Sequence, residues 1–369
     1  MSRISGVTMI VGSVPLEGPE EVFRACAAEL SPYLSAYPDG ETGSRKYWTF
    51  GLASNVYSQH PDLESVNAPE GGEVHQPGRD ASQEEWNRSW WTFRLRDHVD
   101  SLTFERLHYA PAAVESYGVF SRLRDGGVVP AGARFQVSLP ATGSAIMGFF
   151  ARSEEWPVVY DAYRRAIRAE VQRIVDEVPA EDLVIQWDIA SEVRDILAGD
   201  RPLLPWSPQT SLEEKWQRHL GDMNELSRDI PADVALGYHF CFGTWGGWPK
   251  SRADDISICV RLANEAVLRA GRRVDYVHMP VMPDAGDSFF PPLEELSIGD
   301  TKPYLGIVLN DGLEAFERRA RAVGRYLSDF GIASYCGWGR EAPEDVPALL
   351  ADLRASCERF QQALLPTAR

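Results

Sequence analysis

Long apolar runs are missing from this chain. No stretch of roughly 18 consecutive apolar residues occurs, so no membrane-spanning helix is expected. Positive charge is scarce: 37 Lys and Arg stand against 54 Asp and Glu, a net charge of −17. Such a field repels a phosphate backbone, which excludes nucleic acid as an expected partner. Cysteines are few and odd in number, five in 369 residues. With no secretory start, that count argues against a disulfide framework and for a reducing, cytoplasmic setting. The opening "MSRISGVTMIVGSVP" has no small-residue cleavage site and reads as a first strand. Internal repeats, low-complexity tracts and a Pro/Ser/Gly-rich linker are also lacking, so residues 1–369 read as one domain. No feature of the sequence sets an oligomeric state.

What is present has the balance of a globular protein, 44% hydrophobic and 25% charged. Helical periodicity marks residues 19–31, 154–178, 210–228, 252–271, 312–329 and 343–364. Thr210 and Glu213 have capping-box spacing at the start of the third of these. Short apolar runs alternate with the helices at 7–14, 33–40, 134–141, 183–190, 234–241, 274–281, 304–311 and 331–338. Eight strands, most followed by a helix, predict an α/β fold of the (β/α)8 TIM-barrel type. A doubly wound sheet would want a Gly-rich first turn, and "GSVPLEG" matches that poorly. Residues 42–130 lack clean periodicity and carry Trp48, Trp86, Trp90 and Trp91. They read as an aromatic-rich insertion, with helices, over the C-terminal mouth of the barrel.

Alternation along a barrel strand sends every second side chain toward the axis. In "GYHFCFGTW" (237–245), Tyr238 and Phe240 then face the helices, while Gly237, His239 and Cys241 face inward near the C-terminal end, where barrel active sites lie. The same parity sends His278 inward, ends the last strand on Cys336, and closes the run 183–190 near Asp188. Imidazole and thiolate converging on one point suit zinc, which takes nitrogen and sulfur ligands in a tetrahedron.

At these residues the sequence resembles the catalytic barrel of cobalamin-independent methionine synthase, within a wider group that includes uroporphyrinogen decarboxylase-like proteins. "GSVP" (12–15) resembles that family's Gly-Ser-Phe-Pro turn, and "PDGETG" (38–43) its loop with a substrate-binding glutamate, matching Glu41. "FQVSLPATGS" (135–144) resembles its third-strand segment. "IQWDIASEV" (185–193) resembles Ile-Gln-Ile-Asp-Glu-Pro, matching Asp188 to a substrate-binding Asp. "YHFCFG" (238–243) matches the His-x-Cys zinc pair, and "SYCGWGR" (334–340) the Asp-Cys-Gly segment with the last zinc ligand and a basic end. The chain departs from the pattern after the sixth strand, where "VHMPVMP" offers no glutamate ligand and His278 is the nearest inward group. It departs again on the seventh, where "GIVLNDG" has no catalytic His and offers Asn310. No counterpart of the family's N-terminal half, which helps hold folate, is present.

The resemblance implies zinc on His239, Cys241 and Cys336, with His278 a possible fourth ligand, and a zinc-dependent alkyl transferase, most simply a methyltransferase. Its partners are a small-molecule thiol and an alkyl donor. Ser13, Glu41, Asp188 and Glu192 are the candidates for holding the polar end of the acceptor, and Arg45 or Arg340 for an anionic tail. Trp48, Trp245 and Trp248 are candidate apolar walls. Asp188, Asn310 and Tyr335 are the catalytic candidates. The alternatives are a metal-independent decarboxylase or lyase of the same barrel type, with Tyr335 and Asp188 as acid and base, or an epoxide:thiol transferase.

Overall fold

The computed structural model describes residues 3–76, 81, 82, 84, 85 and 88–363; Trp86 lies outside them. Nine strands are present among these residues: β1 (Ala36–Pro38), β2 (Leu63–Asn67), β3 (Thr92–Leu95), β4 (Arg134–Pro140), β5 (Leu183–Ile189), β6 (Ala235–Phe240), β7 (Tyr276–Pro280), β8 (Lys302–Val308) and β9 (Gly331–Ser334). Seven form one curled sheet in the order β1-β4-β5-β6-β7-β8-β9, every neighbouring pair parallel. Each expected run from 134 onward is thus a strand of this sheet. The run 7–14 is not a ladder strand. It touches both edges of the sheet through isolated parallel bridges, Thr8 to Leu34 and to Ile332, and Ser13 to Gly40.

Alternation sorts the core into two parts. Leu236, Tyr238 and Phe240 of β6 and Val277 and Met279 of β7 belong to the large apolar cluster between sheet and helices. Their neighbours Ala235 and Tyr276 join Ile4, Met9, Val184 and Tyr304 in a small cluster inside the curl. The interior is tight: a Cβ on Gly237 would lie 2.1 Å from Tyr276 Cζ. That inner plug forms the base on which a site at the strand ends can rest.

Helices Pro19–Leu30, Tyr109–Asp125, Trp156–Glu177, Leu212–Ser227, Ser257–Arg269, Leu313–Val323 and Val346–Ala363 cover the outside. The box that caps Leu212–Ser227 is Ser211 with Glu214, one residue later than the Thr210–Glu213 spacing suggested; Ser211 N–H donates to Glu214 Oε2 at 2.7 Å. Both pairs satisfy the spacing, and the one adjoining the first helical residue is used.

The irregular region is shorter than the expected 42–130. Tyr109–Asp125 is an outer-layer helix, its Phe120 ring 5.6 Å from Phe23 and 5.7 Å from Phe135. The remainder holds the helix Thr49–Asn55 and the antiparallel pair β2–β3, a separate two-stranded sheet.

Candidate metal centre and its cavity

Pairing in register sets a row across the sheet. Asp188 on β5 is opposite His239 on β6, which is opposite His278 on β7. Cys241 follows β6 directly, and its N–H donates to Ile189 O at 2.9 Å, so the strand direction persists for one more residue pair. Cys336 arrives from the far side, two residues past β9. Its segment is pinned to the first turn by Trp338 N–H donating to Ser13 O at 2.7 Å. Glycine is required there: a Cβ on Gly339 would stand 2.7 Å from Ser13 Cβ.

The ligand atoms of His239, Cys241 and Cys336 all lie within 4.8 Å of one another. The two sulfurs are 3.3 Å apart, and Cys336 Sγ is 3.5 Å from His239 Nε2. A tetrahedral zinc with ordinary bond lengths would need about 3.8 Å between sulfurs and about 3.6 Å from sulfur to nitrogen. The donor set therefore fits zinc in type, and the Cys336–His239 distance matches, while the two sulfurs stand about 0.5 Å closer than a bound zinc would hold them.

The hydrogen bonds behind His239 fix which nitrogen faces the sulfurs. His278 Nε2 is 3.0 Å from Ser334 O, and a carbonyl only accepts, so Nε2 carries the proton. Burial lowers the His278 pKa to about 4, so the ring is neutral and its Nδ1 holds a lone pair. His239 Nδ1 is 2.7 Å from that Nδ1 and must donate to it. Burial, then the neighbouring His278, hold His239 well below the ordinary imidazole range. The neutral ring therefore presents a lone pair at Nε2 to the thiols. This is where the structure corrects the expectation for His278: both of its nitrogens are engaged, and it stands behind His239 rather than beside the sulfurs.

The two thiols share a hydrogen bond. Cys241 is lowered first by the hydrogen bond from Cys336, then by Gly243 N–H at 3.3 Å and by the guanidiniums of Arg194 and Arg340. Cys336, as donor, is raised well above the usual thiol value by that bond and by burial. The pair thus favours the anionic form at Cys241 over Cys336.

Above the sulfurs lies a cavity of about 720 Å³. Ser13, Trp48, Asp188, His239, Cys241, Trp245, Cys336 and Arg340 line it. Trp48 belongs to a strained turn, with φ +69° at Tyr47 and +58° at Trp48. Trp245 stacks on Phe50 at 3.8 Å, and Arg340 lies over Trp245 at 4.8 Å. Arg340 Nη2 donates to Tyr47 O at 3.3 Å while its buried Nε has no partner. Burial lowers its pKa to about 10, still charged at neutral pH.

Asp188 Oδ1 accepts from Gln186 Nε2 at 2.7 Å. Burial, then the charge of Glu41, raise Asp188 well above the usual carboxylate range. Glu41 is raised to about 7 by burial, an effect opposed by the Ser13 hydroxyl that donates to it.

Several expected contacts are committed elsewhere. Arg45 spends both Nη groups on Asp39, at 3.2 and 2.6 Å, and does not reach the cavity. Glu192 is buried against Ser144, accepting from its N–H at 2.9 Å and its hydroxyl at 2.6 Å, and braces the helix start. Tyr335 turns away, its hydroxyl on Glu341 at 2.9 Å and its ring stacked on Trp248 at 4.6 Å. Asn310 is an exposed turn residue with φ +56°. Neither it nor Trp248 lines the cavity. Conversely, Arg194, Lys250, Trp206 and Phe149 line it without having been singled out. The one sequence signal for the first two was Gly243, directly after the His-x-Cys pair.

At the sequence level no family model matches the chain, and no curated protein does. Solved structures do match in fold. A B12-independent methionine synthase from a Shewanella species, in complex with selenomethionine, superposes with a TM-score of 0.60 at 12% identity, covering 98% of this chain and 99% of that one. A protein assigned as a vitamin-B12-independent methionine synthase from Listeria monocytogenes gives 0.51 at 15% identity, covering 92% and 86%. At such identities the likeness is one of fold. Among the described residues no helix is long and apolar enough to cross a membrane.

Proposed function

We propose that this chain is a zinc-dependent alkyl transferase, most simply a methyltransferase, acting between a small anionic thiol and an alkyl donor on a complete barrel closed by residues 7–14. The observation that carries the reading is the convergence of a neutral imidazole lone pair and two thiols on the cavity floor, with the imidazole tautomer set by His278. His239, Cys241 and Cys336 would hold the metal, which when bound supplies a thiolate at neutral pH from a thiol of ordinary acidity. The fold shared with two methionine synthases supports the same class of chemistry and a place in their superfamily.

The chain's own residues do the rest. Arg340 holds the anionic tail of the thiol, caged by Tyr47, Phe50 and Trp245, so that its charge meets no competing carboxylate in an ion pair among the described residues. The rings of Trp48, Phe50 and Trp245 exclude water over the sulfur. A carbon–sulfur bond forms as the bond from that carbon to the donor's leaving atom breaks, and the electron pair departs with the donor. Asp188, whose protonated form burial favours, lies at the cavity wall and donates a proton to the leaving atom, while the thiol's own proton passes to solvent as the thiolate forms. Among the described residues no protein group replaces the missing glutamate ligand, so a fourth position on the metal would be open to substrate. His278 positions His239 and is not a ligand. Tyr335, on which a metal-free lyase would depend, has its hydroxyl on Glu341.

The test uses cobalt-substituted protein. Adding 3-mercaptopropionate is expected to raise the sulfur-to-cobalt charge-transfer absorbance with saturation, and cysteamine, its cationic counterpart, to do so at least tenfold less effectively. Cobalt binding with no response to either thiol would remove the thiol role.

A further inference from the structure

A second pair of cations shares the cavity, and the thiol does not use it. Arg194 leaves the helix Ser191–Leu197, directly after β5, and its Nε donates to Ser251 Oγ at 3.2 Å. Neither Nη of Arg194 donates a hydrogen bond, and no carboxylate pairs with it, among the described residues. Lys250 is brought alongside by the loop after β6, where Lys250 N–H donates to Gly243 O and Ser251 N–H to Phe242 O, both at 2.9 Å. Gly243 permits this fold-back: its φ is +83°, and a Cβ there would stand 2.9 Å from Arg194 Cδ and 3.0 Å from Lys250 Cβ.

Two like charges held this close, Arg194 partly buried and Lys250 exposed, oppose each other. Burial lowers both pKa values, and Arg194 lowers Lys250 further. An anion placed between them would relieve that repulsion. The local balance points the same way. The chain carries −17 overall, yet its cavity is lined by Arg194, Lys250 and Arg340 against the single carboxyl of Asp188. The same cavity has an apolar stretch, formed by Leu203, Leu204, Pro205 and Trp206. The Trp206 indole is fixed by donating to Met147 O at 3.0 Å. A flat face and paired N–H donors lining one cavity match a ligand with an apolar body and an acidic end.

We propose that Arg194 and Lys250 form an organic-acid subsite, which takes the carboxylate of a ligand whose flat apolar body lies against Trp206 and Leu204. Identifying that acid as the alkyl donor rests on the alkyl-transfer reading; the subsite itself does not. In that role the donor's carboxylate stays on Arg194 and Lys250 while the thiol keeps Arg340, so the two substrates carry separate anchors.

Calorimetric titration of zinc-free and zinc-loaded protein with benzoate, 4-methoxybenzoate and 1-naphthoate, each against its neutral amide, tests the subsite. At least one acid is expected to saturate, with its amide at least tenfold weaker. Arg194→Met and Lys250→Met each weaken that acid tenfold or more, Arg194→Lys stays within threefold of wild type, and Arg340→Met changes it less than threefold. Equal binding of acid and amide, no binding of any acid, or an unchanged Arg194→Met overturns the proposal; circular dichroism of each variant confirms that it is folded. Acid binding that persists in Cys336→Ser, where the thiol response to cobalt is lost, keeps the subsite and separates it from the metal reading.

Discussion

His239 and Cys241 stand at the end of a strand and Cys336 just beyond another, whereas Arg194, Lys250 and Trp206 stand in the connections that follow strands. The first group forms the cavity floor and the second its wall. On the floor, direction is dictated by a period of two, and the neighbouring strand supplies the register. On the wall, direction depends on how a loop folds back, and one glycine conformation at 243 decides where two cations point. A floor of this kind conserves a chemistry, and a wall of this kind chooses what is brought to it.

Substitutions can break the comparison at points of decreasing leverage. The largest effect is expected at Glu192, which lies on the helix that carries Arg194 and accepts from Ser144. Burial raises its pKa to about 7 from 4.5. The native state then binds a proton that the unfolded chain releases over this interval, so the contribution is full below the unfolded pKa and is lost as pH rises through the folded one. Urea unfolding of wild type against Glu192→Gln should show the difference between them shifting against wild type by ~3 kcal/mol from pH 4.5 to above pH 7. A pH-independent difference would mean that Glu192 is ionised throughout.

His278→Phe keeps the ring volume and removes the acceptor that sets the His239 tautomer. Zinc affinity, read by chelator competition, should fall about 10–100-fold. His278→Gln, which offers a carbonyl oxygen in place of Nδ1, should recover part of it. An unchanged affinity in the Phe variant would show that His239 needs no orienting partner.

Smallest are the effects at residues the structure places off the cavity. Tyr335→Phe should cost about 1 kcal/mol of stability through the lost bond to Glu341 and leave thiol binding within twofold. Asn310→Gly should stabilise slightly, by up to about 1 kcal/mol, because glycine tolerates φ +56° better than asparagine. A tenfold loss of thiol binding in either would return that residue to the site.

The same contrast explains what was legible in the sequence. Strand order from 134 onward, the inward parity of His239 and Cys241, and the arrival of Cys336 followed from alternation and from a short motif. The first run was harder to read because Thr8 and Ser13 make bridges in place of a ladder. Tyr109–Asp125 was hidden because its hydrophobic face packs on both Phe23 and Phe135 and so shows weak periodicity. Arg45, Glu192 and Tyr335 carry the right chemistry for a site, yet each has a partner, Asp39, Ser144 or Glu341, within its own neighbourhood, and residue type alone does not reveal which partner wins. Arg194 could not be placed without knowing that Gly243 lets the next loop fold against it.

The central claim is that the floor is a three-ligand zinc site. Zinc per chain should be measured in protein purified without added metal, together with His239→Ala, Cys241→Ser, Cys336→Ser and His278→Phe after equal dialysis. The account predicts about one zinc per chain in wild type, loss in each of the first three variants, and a retained but weaker site in the fourth. Folded, metal-free wild type that takes up no added zinc would contradict it, as would a Cys336→Ser variant that binds zinc as tightly as wild type.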